Sequence, residues 1–213
     1  YAKTGSGRAI GDITSFLVEK DTPGFTLGQQ VKDKCGMRAS CTAELVFDGV
    51  KVPVENIVGS LGGAGICMHR NLQIERVTLA AMSLGIARRS IEIMTKYSQD
   101  RKAFGKSIGE YGQIQNAEYM AGRAYVYNLS NGLALDQVGA GLDADGVKLF
   151  CGPMGKRVAD RAMQVLGGNG YIADYNVERL WRDSKLLEIG GGTNEAHHKN
   201  MVRDLNKMDS TLL

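Results

Sequence analysis

The 213-residue sequence has no apolar run of 18 residues, which excludes an ordinary transmembrane helix. Its four cysteines, Cys35, Cys41, Cys67 and Cys151, form no C-x-x-C pair and have no histidine at ligand spacing, so no metal centre is expected. Two of them sit in apolar-rich segments, where a free thiol behaves as a small hydrophobe, and a reducing compartment suits that state. No block of one charge exists. The net charge is only +3, with basic residues interleaved among acids, which argues against nucleic acid as a partner. There is no internal repeat, no low-complexity tract and no visible leader segment. Tyr1-Ala2-Lys3-Thr4 reads as a strand already in progress, so further sequence upstream is expected.

What is present is the composition of an ordinary soluble protein, 43% apolar and 23% charged. The length suits one large domain, or one domain and a piece of another, and such a chain can bury roughly 70% of its unfolded surface. The first sixty residues have strand character. Residues 13–19 are β-branched and aromatic and stop at Asp21-Thr22-Pro23-Gly24, a turn pattern. Residues 43–48 form a second candidate strand before Asp48-Gly49. Past Gly62-Gly63 the pattern becomes helical. Long helices are expected over about 66–97, 113–135 and 145–166, and shorter ones over 177–187 and 195–205. The expected architecture is mostly α, a helical bundle over 62–213 preceded by part of an antiparallel β domain over 1–61. Gly152-Pro153-Met154-Gly155 lies inside the third helix. Proline costs about 3 kcal/mol in a helix interior, which predicts a kink or a split there.

Four segments hold residues suited to chemistry. Leu72, Leu79, Met82 and Ile86 draw an apolar stripe on the first helix, and Glu75 falls within it. A carboxylate among apolar neighbours holds its proton more tightly, which suits a general base near neutral pH. Periodicity equally allows Glu75 to sit at the edge of the stripe or to pair with an arginine. Arg101-Lys102-Ala103-Phe104-Gly105-Lys106 offers cations and an aromatic face for phosphates and a flat ring, or is simply a solvated loop. Gly167-Gly168, after Gln164, reads as a helix C-cap or as backbone open to a ligand. Gly190-Gly191-Gly192-Thr193-Asn194-Glu195 joins two short helices, with Thr193 or Asn194 as the N-cap of the last. It lacks the G-x-G-x-x-G spacing and follows no strand, so it is not a nicotinamide fingerprint. His197 and His198, being adjacent, diverge on a helix and are not a joint metal site.

Together these segments resemble the acyl-CoA dehydrogenase family over essentially the whole chain. The carriers are Pro23-Gly24-Phe25, Gly36-Met37-Arg38, Glu75-Arg76, Arg101-Lys102-Ala103-Phe104-Gly105, Gln164-Val165-Leu166-Gly167-Gly168-Asn169-Gly170-Tyr171, Arg182-Asp183-Ser184-Lys185 and Gly192-Thr193. The resemblance implies a central β domain followed by a four-helix bundle, with Tyr1 falling partway through the former. It implies FAD as cofactor and α,β-desaturation of an acyl-CoA thioester, a carboxylate removing the α-proton while a hydride passes to the flavin. Most members carry that carboxylate just before a Gly-Thr pair, at the place held here by Gly191. A smaller set, including isovaleryl-CoA and long-chain acyl-CoA dehydrogenases, carries it on the first bundle helix, and Glu75 matches that place.

By the same resemblance Arg101, Phe104, Gln164, Gly167, Gly168, Thr193 and Glu195 match FAD-contacting positions, several reaching the cofactor of a neighbouring subunit. Gly112 replaces a usual flavin-contacting glutamine, with Gln113 beside it as a substitute. Arg76 matches a residue near the CoA moiety, and Gly191 and Gly192 match substrate-lining backbone. The branch most similar in these motifs is isovaleryl-CoA dehydrogenase, small residues at 191 and 192 leaving room for a branched acyl chain. The implied setting is a homotetramer that passes electrons to electron-transfer flavoprotein, in the mitochondrial matrix or, if bacterial, the cytoplasm. The alternatives are a long-chain enzyme with the same base and a catalytically incomplete family fragment acting as an assembly subunit.

Overall fold

A computed structural model describes residues 1–7, 9–111, 117–133, 135 and 140–207. The chain divides into two compact units, Tyr1–Lys34 with Arg38–Leu72, and Cys35–Met37 with Gln73–Leu213.

The first unit is built of short antiparallel strands. β1 (Ala2–Lys3), β2 (Ile13–Phe16) and β5 (Ile57–Val58) form one small sheet in the order β1-β2-β5. The expected strand at 13–19 ends earlier, at Phe16. β4 (Thr42–Phe47) falls on the expected second strand. It pairs with β3 (Phe25–Val31), a strand the sequence pattern hides because Gly28-Gln29-Gln30 interrupts its alternation. A register shift between Leu27 and Gln30 absorbs the irregularity. The open end of the hairpin is held by Phe25 stacked on Phe47, with ring centres 4.9 Å apart.

The second unit is helical and carries the expected bundle. Helix α1 spans Ala64–Asp100 and belongs to this unit from Gln73 onward; α2 is Ala117–Gly132, α3 Ala140–Leu166, α4 Gly168–Tyr171, α5 Val177–Leu186 and α6 Asn194–Leu205. Val77, Ala80, Leu84, Ala87 and Met94 of α1 join Val126 of α2 and Val147, Cys151, Met154 and Val158 of α3 in one core. Burying a side chain the size of Val or Met contributes about 1.5–3 kcal/mol, so this α3 face is a main source of stability. Surface ties reinforce the core. Arg157 and Arg161 of α3 both pair with Glu118 of α2, and Trp181 of α5 donates to Asp160 of α3 at 2.9 Å.

Two expectations are corrected here. The Leu72–Ile86 stripe is only partly buried, for Ile86 is covered with Leu79 packed beside it while Leu72 and Met82 are exposed, and the main buried face carries Val77, Ala80, Leu84 and Ala87. At 100° per residue the two faces lie about a third of a turn apart. Small residues, Ala80, Ser83 and Ala87, alternate on this face with Val77, Leu84 and Met94, and α3 comes close at Ser83, opposite Gly155. The second correction concerns the split expected at Gly152–Gly155, for α3 runs as one continuous helix through Pro153. A Cβ on Gly152 would lie 2.8 Å from the Leu187 carbonyl oxygen, and one on Gly155 3.0 Å from that of Ser83. The two glycines therefore let the helix pack backbone-close on both sides, and this packing holds it across the hydrogen bond that proline cannot make.

Candidate active site

Two of the family-type motifs meet although 146 residues separate them. The Met37 N–H donates to Asp183 Oδ1 at 2.6 Å, and Arg182 donates to the Cys35 carbonyl at 2.8 Å. Met37 takes a positive φ of 46° to do so. A Cβ on Gly36 would stand only 2.5 Å from the Arg182 carbonyl oxygen, so only glycine fits there. These contacts fix the C-terminal half of α5, and α5 delivers the chain into the Gly190–Thr193 turn.

That turn lies against α1. Gly191 and Gly192 have φ of +66° and +112°, conformations open to glycine and strained for other residues. A Cβ on Gly191 would lie 2.6 Å from Leu79 Cδ1 and 3.8 Å from the carboxylate carbon of Glu75. The space above Gly191 is thus filled by Leu79 and bordered by Glu75, which is half-buried rather than sunk in a stripe. Glu75, Gly191 and Arg76 are brought together as the sequence suggests. Part of the room left by the missing Cβ of Gly191 is taken up by Leu79.

Arg76 has a pairing that periodicity leaves unassigned. Its Nη1 lies 2.9 Å from Asp145 Oδ1, and its Nε makes a long 3.4 Å hydrogen bond to the Gly191 carbonyl. Asp145 Oδ1 also receives His197 Nδ1 at 2.5 Å. Lys148 donates to the Gly192 carbonyl at 2.6 Å. Asp145, Lys148 and His197 are all buried, at 1%, 0% and 0% exposure. Burial pushes the Lys148 ammonium below the usual lysine range, and Arg76 nearby adds to this against the pull of Glu188 and Asp145. Sequence reasoning missed all three roles. The visible pattern was the spacing of Asp145 and Lys148, which share a face with Ala144, Val147 and Cys151, where charge is out of place. His197 turns inward and His198 outward, as adjacent helical residues must.

Thr193 is the N-cap of α6, its hydroxyl accepting the Ala196 N–H at 3.3 Å. Glu195 is exposed in the first turn. Its own backbone N–H and the Thr193 hydroxyl hold its carboxyl below the usual range.

The remaining expected cofactor positions lie elsewhere. Arg101 follows the end of α1, some 25 residues and ~37 Å of helix beyond Glu75. It leads into a hairpin of β6 (Lys102–Ala103) and β7 (Lys106–Ser107), where a plain loop was expected. Phe104 and Gly105 turn that hairpin with φ of +51° and +84°, and the Phe104 ring is 98% exposed. Gln164, Gly167 and Gly168 are exposed at the end of α3, where Gly167, at φ +58° and ψ −131°, departs from the left-handed C-cap expected and leads into α4. Arg101 and Asn169 line one surface cleft of about 570 Å³ with Tyr97 and Tyr175. Gln113 and Gly112 fall outside the described residues. An exposed aromatic face, a guanidinium and open glycine backbone suit the ring and phosphates of FAD, so the donor set fits that cofactor as parts that reach outward to it.

The sequence profile described as "Acyl-CoA dehydrogenase, C-terminal domain" matches residues 62–205. The chain is 39% identical to the mitochondrial isovaleryl-CoA dehydrogenase of Oryza sativa subsp. japonica, covering 97% of this chain and 52% of that protein. It is 33% identical to cyclohexane-1-carbonyl-CoA dehydrogenase of Syntrophus aciditrophicus, covering 95% and 54%. Its fold is similar to that of butyryl-CoA dehydrogenase from Megasphaera elsdenii, with a TM-score of 0.90 and 34% identity over 96% of this chain and 55% of that one. The chain therefore spans about half the length of the curated relatives it matches. With more than half of its residues matched by one family profile, the chain belongs to the acyl-CoA dehydrogenase family.

Proposed function

We propose that the protein carries out flavin-dependent α,β-desaturation of an acyl-CoA thioester, isovaleryl-CoA or another short branched-chain acyl-CoA, with Glu75 as the base. The observation that carries this reading is the closeness of Glu75 to the Gly191 position, 3.8 Å from where a Cβ there would be. A carboxylate borne at 191 and one borne at 75 address the same volume, so one acid serves, and this chain supplies it from α1. The family relationship and the identity to an isovaleryl-CoA dehydrogenase support the substrate class.

In this account Glu75 takes the α-proton, and its half-buried setting limits competing water. Arg76 stands next to it as a cation near the CoA moiety, and the Gly191–Gly192 backbone lines the acyl group. Bound FAD supplies the hydride acceptor. Arg101, Phe104, Gln113, Gln164, Gly167, Gly168, Thr193 and Glu195 are the residues assigned to hold it, those of the hairpin and the α3 end reaching a neighbouring subunit's cofactor. A bulky residue at positive φ with its ring in water is costly within one chain, which supports a covered state for Phe104 in an assembly. The reading includes a homotetramer, electron-transfer flavoprotein as acceptor and a mitochondrial matrix location, the last supported by the relatives whose names carry that compartment. The test is a panel of acyl-CoA thioesters under anaerobic conditions with the full-length protein. Isovaleryl-CoA is expected to bleach the flavin fastest, and a preference for a long straight chain would overturn the substrate assignment.

A further inference from the structure

Behind the Gly191–Gly192 turn lies a buried bed of charge. Arg76 Nε reaches the Gly191 carbonyl and Lys148 Nζ the Gly192 carbonyl, so each glycine of the turn is held by a cation. Arg76 is itself held, since Asp145 Oδ1 takes its Nη1 at 2.9 Å. The same oxygen takes His197 Nδ1, so that ring nitrogen carries the proton. The ring then stands against Gly192, where a Cβ would lie 3.1 Å from Nε2. Nε2 is buried and has no hydrogen-bond partner among the described residues. Three elements, α1, α3 and α6, thus converge on a two-residue turn through an aspartate, a lysine, a histidine and an arginine.

A packed apolar bed would be the more economical support, because ionic groups lose solvation on burial that their pairing only partly returns. Such groups do set distances, being directional where apolar contacts are not. The turn they hold faces Glu75, and a misplacement of about 1 Å between reacting groups can cost about a hundredfold in rate.

We propose that Asp145 and Lys148 are positioning residues for the reaction. They fix Arg76 and the Gly191–Gly192 turn against Glu75, and with them the α-carbon that the carboxylate must reach. This inference rests on the functional reading above.

Asp145→Asn keeps the shape and removes the charge, and Lys148→Met keeps the length and removes the donor. Each is made in the full-length flavin-loaded protein and mixed with isovaleryl-CoA in an anaerobic single turnover. Binding of a thioether analogue that cannot be reduced is measured separately. The expected result is a flavin-reduction rate constant lower by about 10- to 100-fold, with analogue affinity within about threefold of the parent and the same bleaching amplitude. A merely structural role lowers the amplitude, because fewer molecules are competent, and leaves the rate constant of the rest unchanged. That outcome overturns the inference, as does failure of both variants to fold. The parent protein is the control on the reading itself. If isovaleryl-CoA does not bleach its flavin, the reading and this inference fall together. If it does, and both variants react at the parent rate, this inference alone falls.

Discussion

A Cβ on Gly191 would stand 3.8 Å from both the carboxylate carbon and Oε1 of Glu75. A side chain at 191 and the acid at 75 therefore compete for one volume, and Leu79 Cδ1, 2.6 Å from the same point, already closes it from the other side. Relocating the base follows from this. In a Glu75→Gln background, adding Gly191→Glu should restore part of the lost flavin reduction, and Leu79→Ala should improve it further by clearing the clash. Recovery stays incomplete because the new glutamate must hold φ +66°, at a cost of about 1–2 kcal/mol. Single-turnover absorbance checks the series. No gain in either combination would separate the two positions.

The unbroken passage of α3 through Pro153 depends on glycine on both sides. Gly152→Ala places a methyl 2.8 Å from the backbone oxygen of Leu187, which cannot swing away as a side chain could. Overpacking of about 1–3 kcal/mol outweighs the helix propensity gained, so denaturant unfolding should show net destabilisation. Gly85→Ala on α1 is the control. Nothing lies within 4 Å of its added methyl, and it should stabilise by about 0.5–1 kcal/mol.

Phe104 occupies a hairpin turn position that asparagine fills more comfortably, since Asn-Gly suits positive φ at both residues. Phe104→Asn should leave thermal stability of the flavin-free protein unchanged or slightly raised. It should weaken flavin retention about tenfold if the exposed ring contacts the cofactor. Equilibrium dialysis of FAD checks this, and unaltered retention would remove Phe104 from the cofactor site.

Cys151 is fully buried in α3, and burial pushes its thiol from the ordinary value of 9.0 up to about 12. The unfolded thiol releases its proton above pH 9 while the folded one keeps it until about 12. Within that window the folded state holds more protons, so this residue makes stability fall as pH rises from 9 to 12 and contributes no pH dependence below 9. Relative to Cys151→Ala, the parent should lose melting temperature across that window only. Iodoacetamide at pH 8.5 should leave Cys151 unmodified while the fold holds, and rapid labelling there would contradict the burial.

Much of the helical framework was legible because long amphipathic runs and glycine boundaries are local properties. α1, α3, α5 and α6 begin and end within a few residues of expectation, apart from the extra turn at the start of α3, and Thr193 caps α6 as its type and place suggest. The approach of Glu75 to Gly191 was legible only through the family resemblance, since periodicity put the acid on a stripe that proves partly exposed. Asp145, Lys148 and His197 stayed hidden because pattern reading sends charge outward, and their partners lie 44 to 69 residues away along the chain. β3 stayed hidden because its polar centre at Gly28-Gln29-Gln30 carries no alternation, and its pairing is decided by Phe25 on Phe47 across the hairpin.

The proposed desaturation depends on one carboxylate, Glu75, accepting one proton. The most direct measurement is the anaerobic single-turnover bleaching of flavin by isovaleryl-CoA in full-length Glu75→Gln, at flavin content equal to the parent. Loss of a general base predicts a rate constant lower by about 10²–10⁴-fold with thioester still bound. Bleaching at the parent rate would contradict it.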